Sequence, residues 1–126
     1  MRLLSALLGL ILVIVLLGFW VNHSLEATAK ELTHNLNAVT REIKEANWDE
    51  AGRGIAAMEE NWDHMGKWWP VVLDHQEMDN IEFSLAKAKA YIEEKEMALS
   101  LGQLSELKLM ILHLPEREAL TLRNIF

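Results

Sequence analysis

The chain has 126 residues, a formal net charge of −7 at pH 7, no cysteine and 51% hydrophobic residues. Its acidity argues against nucleic acid as a partner and against electrostatic binding to anionic lipid, because both attract clustered lysine and arginine. The absence of cysteine excludes disulfides, thiolate metal sites, thiol catalysis and a lipid-modified amino-terminal cysteine. The length is enough for one domain with a modest core.

Residues 3–21 form an apolar stretch without a single charge, LLSALLGLILVIVLLGFWV. As a helix with a rise of about 1.5 Å per residue, the stretch is roughly 28 Å long, close to the ~30 Å hydrocarbon core of a bilayer. Trp20 lies near its end, where an interfacial aromatic side chain is favoured. The sequence therefore predicts a transmembrane signal-anchor over residues 1–22.

The charges that flank this stretch predict its orientation. Arg2 precedes it together with the terminal amine, whereas the first charge after it is that of Glu26. The positive-inside rule then places the amino terminus in the cytoplasm and residues 23–126 outside it, as a single-pass protein of the cell membrane. The alternative is a cleaved signal peptide, since residues 27–29 form an A-x-A triplet. The apolar run is longer than the roughly 7–15 residues usual in such peptides, which favours the anchor.

Beyond the stretch, mostly apolar residues recur at steps of three and four, which is the spacing of one buried helix face. No glycine or proline separates Val21 from the first of these stripes, so we predict that the first helix continues directly from the membrane helix. The four stripes are Leu25, Ala29, Leu32, Leu36, Val39, Ile43 and Ala46; Trp48, Ala51, Ile55, Met58, Trp62, Met65 and Trp69; Met78, Ile81, Leu85, Ala88 and Ile92; and Met97, Ser100, Leu104, Leu107, Ile111 and Leu114.

Two of the helix starts carry a capping signature. A capping box consists of an N-cap residue and a second residue three positions later, each of whose side chains accepts a hydrogen bond from the backbone N–H of the other. This spacing occurs in Asn47 with Glu50 and in Asp74 with Glu77. We therefore predict helices that begin directly after Asn47 and after Asp74.

The stripes repeat at an offset of 49 residues, which aligns Leu32 with Ile81. We therefore predict an all-α fold with two tandem helical hairpins, over about 24–69 and 74–114. A closed four-helix bundle and an open, tetratricopeptide-like repeat both fit this pattern. The final segment, residues 115–126, begins with a proline and is predicted to form a short, separate capping helix.

Residues 74–82 contain the densest cluster of polar side chains. His75, Asp79 and Glu82 share one face of the predicted helix at spacing i, i+4 and i+7, and such a face offers nitrogen and oxygen ligands to a divalent metal ion. The alternative is that Asp74 and Glu77 cap the helix and that the other side chains lie on a solvated face. The sequence contains no HExxH motif, and we expect no cofactor.

The sequence lacks the motifs of catalysis and of phosphate binding. Ser84, Ser100 and Ser105 fall inside predicted helices, which is not the setting of a nucleophile elbow. Gly52 and Gly54 form an isolated G-x-G inside a helix, and they mark either a close helix crossing or a contact surface. We expect that the protein is not an enzyme.

Four tryptophans lie within residues 48–69. Three of them, Trp48, Trp62 and Trp69, belong to the second stripe and are predicted to lie in the core. Trp68 is off the stripe, so it either packs under the loop between the hairpins or is an exposed anchor for a partner or the membrane surface. With His75, the pair Trp68 and Trp69 are the candidate interaction residues.

Several short segments resemble a known but uncharacterised family. They are KWWPVVLDHQEMDNIEFSLAKAKAYI and LGQLSELKLMILHLPEREALTLRNIF, and within or near them Trp48-Asp49-Glu50, Trp68-Trp69, Asp74-His75, Asp79-Asn80-Ile81, Ser84-Leu85-Ala86, Ser105-Glu106-Leu107 and the ending from Leu122 to Phe126. Through these segments nearly the whole chain resembles domain-of-unknown-function family 4363, small single-span proteins of spore-forming Gram-positive bacteria. The resemblance implies a membrane-anchored helical protein of unknown role in the bacterial envelope or in sporulation.

Together these features predict a membrane-anchored, non-enzymatic interaction or scaffold module outside the cell membrane. Its expected partners are the membrane, through residues 3–21, and a protein. The alternative is a ligand- or metal-binding sensor domain that uses the face from Asp74 to Glu82. The first stripe covers three heptads, so self-association of the first helix as a coiled coil is a further hypothesis.

Overall fold

In the computed structural model, residues 1–65 and 74–125 are described, the last eleven of them by their backbone only. This part of the chain contains four α-helices and no strand, so the predicted all-α fold is confirmed. The helices are α1, Arg2–Lys44; α2, Trp48–Met65; α3, His75–Glu93; and α4, Met97–Ile125.

Helix α1 runs without interruption from the apolar stretch into the first stripe. It has 43 residues and is roughly 64 Å long at about 1.5 Å per residue. Its side chains become buried only from Leu25 onward. The predicted continuation of the apolar segment into the first helix of the domain is therefore confirmed, and no flexible linker separates the two parts.

The predicted stripes form one continuous core among the described residues. Trp62 is a core residue as predicted, whereas Trp48 packs against the core but is only partly buried. Ala46 and Met97 were expected on the stripes but are exposed, because the chain turns at Ala46 and α4 only begins at Met97. The core side chains are Leu25, Ala29, Leu32, Leu36, Val39, Ile43, Ala51, Ile55, Met58, Trp62, Met78, Ile81, Leu85, Ala88, Ile92, Leu104, Leu107, Ile111 and Leu114.

The offset of 49 residues holds for the buried positions of both hairpins. Each buried residue of α2 has a buried counterpart in α4, beginning with Ala51 and Ser100 and ending with Trp62 and Ile111. Each buried residue of α1 from Ala29 onward likewise has a buried counterpart in α3, whereas the buried Ser84 of α3 corresponds to the partly buried Asn35. The second hairpin therefore repeats the burial pattern of the first.

The two turns inside the hairpins also have the same backbone geometry. Ala46 and Lys95 adopt positive φ angles of 59° and 57°. The N–H of the next residue donates to the carbonyl five positions back, at 2.8 Å for Asn47 and 2.9 Å for Glu96. This is the Schellman motif, which satisfies the last carbonyls of α1 and of α3. The left-handed backbone conformation is unfavourable for residues other than glycine, so Ala46 and Lys95 are both strained.

The two predicted capping boxes have different outcomes. Asp74 is the N-cap of α3, and its carboxylate accepts a hydrogen bond from the Gln76 N–H at 3.3 Å. Helix α2 begins directly after Asn47 as expected, but the capping box there is wrong. The Asn47 N–H already donates to a carbonyl of α1, and the Glu50 carboxylate pairs with Arg53 at 2.9 Å.

The helices run in alternating directions. Helix α1 contacts α2 and α4, and α3 contacts the same two helices. Residues 46–50 of the first turn share a shallow pocket with Lys95 of the second turn, so both turns lie at one end of the domain. We call this end the turn end, and the opposite end, where α1 leaves the core near Leu25, the anchor end.

The predicted separate capping helix over residues 115–126 is wrong. Helix α4 continues through Pro115 and ends at Ile125. Proline suits a first helical turn. Inside a helix it removes one backbone hydrogen bond, here the one to the Ile111 carbonyl, and its ring crowds that carbonyl, at a cost of about 3 kcal/mol. Helix α4 continues through Pro115 despite this cost.

Candidate interaction surfaces

The apolar amino-terminal part of α1 is exposed on every side. All large apolar side chains from Leu3 to Trp20 are between 41% and 79% exposed. An 18-residue window of this helix has a mean hydropathy of 2.8, and none of it is buried. A helix that is apolar all round suits a hydrocarbon environment, whereas the core helix of a soluble protein would be covered. Helix α1 is thus long and apolar enough to cross a membrane, as a signal sequence also would be.

The first stripe of α1 is used inside the chain. Leu25, Leu32, Leu36 and Ile43 are at most 3% exposed and belong to the core. A coiled coil with a second copy would need the same side chains at its seam. In the folded domain these side chains are covered by the other helices of the same chain.

An open groove of about 300 Å³ lies between α3 and α4, toward the anchor end. Its floor is apolar and its rim is polar, with two carboxylates and one imidazole. Near its other end, the Gln103 side-chain amide donates to the Ser84 hydroxyl at 2.6 Å and ties the two helices together. The lining residues are Glu77, Asn80, Ile81, Glu106, Leu109, Met110, His113 and Leu114.

The residues predicted from sequence as a site lie elsewhere or outside the described chain. His75, Asp79 and Glu82 are exposed on α3. Among the side chains of residues 1–65 and 74–114, no group of three histidine, aspartate or glutamate side chains is placed to hold a metal ion. The other two candidates, Trp68 and Trp69, lie outside the described residues.

Sequence reasoning did not single out the exposed apolar side chains of the second hairpin. Besides Met97, four such side chains are exposed: Phe83 on α3 by 62%, and Leu99, Leu109 and Leu112 on α4 by 51%, 57% and 41%. All four lie off the predicted stripes, and an apolar residue off a stripe is the signal by which the sequence marks them. Scattered exposed apolar residues are common, so we consider Phe83 and Leu109, one on each helix of the hairpin, as candidate contact residues.

The two glycines of α2 have different surroundings. A Cβ at Gly54 would lie 2.6 Å from the Val39 Cγ2 atom of α1, whereas a Cβ at Gly52 would meet nothing within 4 Å. The predicted close helix crossing is therefore confirmed at Gly54. It is wrong at Gly52, because two residues along a helix turn the side chain by about 200°, away from α1.

Comparison with known proteins places the chain in a family. Neither a curated protein nor a solved structure matches it. A family match extends over residues 19–125, which includes the whole helical domain and the end of the apolar stretch. The chain therefore belongs to the family described as Domain of unknown function (DUF4363).

Proposed function

We propose that the protein is held in a membrane by the amino-terminal part of α1 and that its helical domain lies outside the cytoplasm. The exposed apolar side chains from Leu3 to Trp20 support the anchor, because water would disfavour so large an apolar surface. The basic Arg2 before the stretch and the acidic Glu26 after it support the orientation.

We infer that the four helices close into a bundle. Contact between α1 and α4 supports this arrangement, because an open superhelix of two hairpins would separate its first and last helices. A closed bundle buries all four stripes in one core, which leaves the outer faces of the helices for other molecules.

The domain then acts as a non-enzymatic interaction or scaffold module, and the outer face of α3 and α4 is the surface that binds a protein partner. Phe83 lies ten residues before the end of α3, and Leu109 lies twelve residues after the start of α4. Both side chains are therefore at a similar height, roughly 15–18 Å from the turn end. Exposed large apolar side chains of this kind are typical of the centre of a protein interface.

Reporter fusions after Phe126 test the anchor and the orientation together. The proposal predicts active alkaline phosphatase and a dark fluorescent protein, since the former requires the outside of the membrane and the latter the cytoplasm. A bright fluorescent protein with inactive phosphatase would show that the orientation is inverted.

A proximity-labelling enzyme on the native protein tests the interaction surface. The Phe83→Ser/Leu109→Ser variant should lose most labelling of a specific neighbour, whereas the control Lys87→Ser, an exposed position on the same helix, should retain it. Labelling that is equal in the two variants would contradict a role for this surface.

The α3–α4 groove favours a second candidate function, the binding of a ligand by a sensor domain. Because the described side chains form no three-residue metal group, a metal ion would bind there only with water or ligand oxygens completing its coordination shell. Glu77 and Asn80 belong to the polar segment from Asp74 to Glu82, and they line the groove opposite Glu106 and His113. Calorimetry with zinc and manganese tests the metal variant of this function. Binding at micromolar concentration that is lost in His113→Ala would support it, and no binding below millimolar concentration would exclude it.

A further inference from the structure

Helix α4 is much longer than helices α2 and α3 of the same domain. It has 29 residues, whereas α2 has 18 and α3 has 19. At about 1.5 Å per residue, α4 extends roughly 15 Å further than α3. Because α4 starts at the turn end, this extra length projects beyond the anchor end.

The direction of α1 shows which residues of α1 lie beside the projecting end of α4. Helix α1 reaches the turn end at Lys44, and α4 returns from that end in the opposite sense, in contact with α1. Counting back along α1 by the length of α4 leads to about residue 16. The last turns of α4 therefore lie level with the end of the apolar stretch, near Gly18 and Val21.

The pattern of exposed and covered residues over 18–22 of α1 fits a helix that lies against one side of α1 at this level. Gly18, Val21 and Asn22 are partly covered, and Val21 packs against the core, whereas Phe19 and Trp20 remain largely exposed. Helix α2, the other neighbour of α1, ends at residue 65, level with about residue 27 of α1. Among the described helices, only α4 is long enough to cover residues 18–22.

We infer that the carboxyl-terminal two turns of α4 lie in the interfacial layer of the bilayer that α1 crosses, so that the domain contacts lipid a second time. This inference rests on the proposed anchor. In the sequence, residues 119–125 of α4, ALTLRNI, comprise three large apolar residues and one charged residue, Arg123. A helical segment of this composition suits the boundary between acyl chains and headgroups.

A second lipid contact has a consequence for the whole domain. Since α1 continues into the core without a break, the end of α4 and the membrane helix together fix the tilt of the domain relative to the bilayer. The turn end, with Ala46 and Lys95, then points away from the membrane.

Nitroxide depth measurements on the full chain in phosphatidylcholine and phosphatidylglycerol vesicles test the inference. The chain has no cysteine, so single cysteines introduced by substitution carry the only labels. Asn124→Cys reports on the end of α4. Gly102→Cys, near the start of α4 where a side chain meets open space, is the aqueous control, and Leu12→Cys is the control for the bilayer interior. The readout is the ratio of collisions with oxygen to collisions with a water-soluble nickel chelate.

The inference predicts a ratio for Asn124→Cys that is well above that of Gly102→Cys and below that of Leu12→Cys. An Asn124→Cys ratio equal to that of Gly102→Cys, with a lipid value for Leu12→Cys, would overturn the inference and leave the anchor intact. Lowered collisions of Asn124→Cys with both reagents would indicate burial against protein and would also overturn it. An aqueous value for Leu12→Cys would overturn the anchor itself, and the inference with it.

Discussion

The two glycines of α2 allow a direct test of how closely α1 and α2 pack. Replacing either glycine by alanine adds the same methyl group to the same helix and gains about 1 kcal/mol of helix propensity. At Gly52 nothing lies within 4 Å of the new methyl group, so we expect Gly52→Ala to stabilise the fold by about that amount.

At Gly54 the same methyl group meets Val39. The 2.6 Å separation from Val39 Cγ2 is about 1 Å shorter than an ordinary carbon–carbon contact. Val39 is 3% exposed and β-branched, so its side chain cannot easily move away. Overpacking of this kind costs about 1–3 kcal/mol, which offsets the gain in propensity or exceeds it. We therefore expect Gly54→Ala to be about 1–3 kcal/mol less stable than Gly52→Ala.

Urea denaturation of the full chain in a mild detergent, followed by circular dichroism, measures this difference. In the Val39→Ala background, Gly54→Ala should become stabilising, because the atom that it would meet is gone. If Gly54→Ala stabilises the original chain as much as Gly52→Ala does, the close approach of α1 and α2 is wrong.

Three further predictions use the same assay. Asp74→Ala removes the N-cap of α3 and should cost about 0.5–2 kcal/mol; no effect would mean that α3 does not begin there. Ser100→Ala should stabilise the fold by about 1 kcal/mol or more, because the Ser100 hydroxyl is fully buried without a hydrogen-bond partner in the described chain. The residue that corresponds to Ser100 in the first hairpin is already an alanine, Ala51. Destabilisation by Ser100→Ala would show that the hydroxyl does form a hydrogen bond. Ala46→Gly should stabilise the fold by up to about 1 kcal/mol, because glycine adopts the positive φ angle of this position without steric strain. The control Ala56→Gly, at an exposed position in the middle of α2, should destabilise the fold by about 1 kcal/mol. Equal effects of the two substitutions would contradict the turn geometry.

The core was predictable because it depends on a periodic signal. Apolar residues at helical spacing identify the buried face wherever a helix has one polar side. The first stripe is buried as expected from Leu25 to Ile43 but not at Ala46, and the third is buried from Met78 to Ile92. The start of α3 was also predictable, since the Asp74 cap depends on residues that are adjacent in sequence.

Features that depend on contacts between helices were not predictable in the same way. Asn47 and Glu50 match the capping signature, but the Schellman turn at the end of α1 uses the Asn47 N–H first. Pro115 matches a helix start, yet α4 continues through it despite the lost hydrogen bond and the crowding of the preceding carbonyl. The α3–α4 groove requires the relative placement of two helices, which periodicity alone does not give.

Thiol labelling in intact cells tests most directly the claim that a membrane helix continues into a helical domain outside the cytoplasm. Ser105→Cys, exposed on α4, and Leu12→Cys, in the apolar stretch, introduce single thiols into the cysteine-free chain. We expect a membrane-impermeant maleimide to label Ser105→Cys in intact cells, and to label Leu12→Cys only after the membrane is dissolved and the protein denatured. Protection of Ser105→Cys in intact cells, with labelling after lysis, would contradict the account.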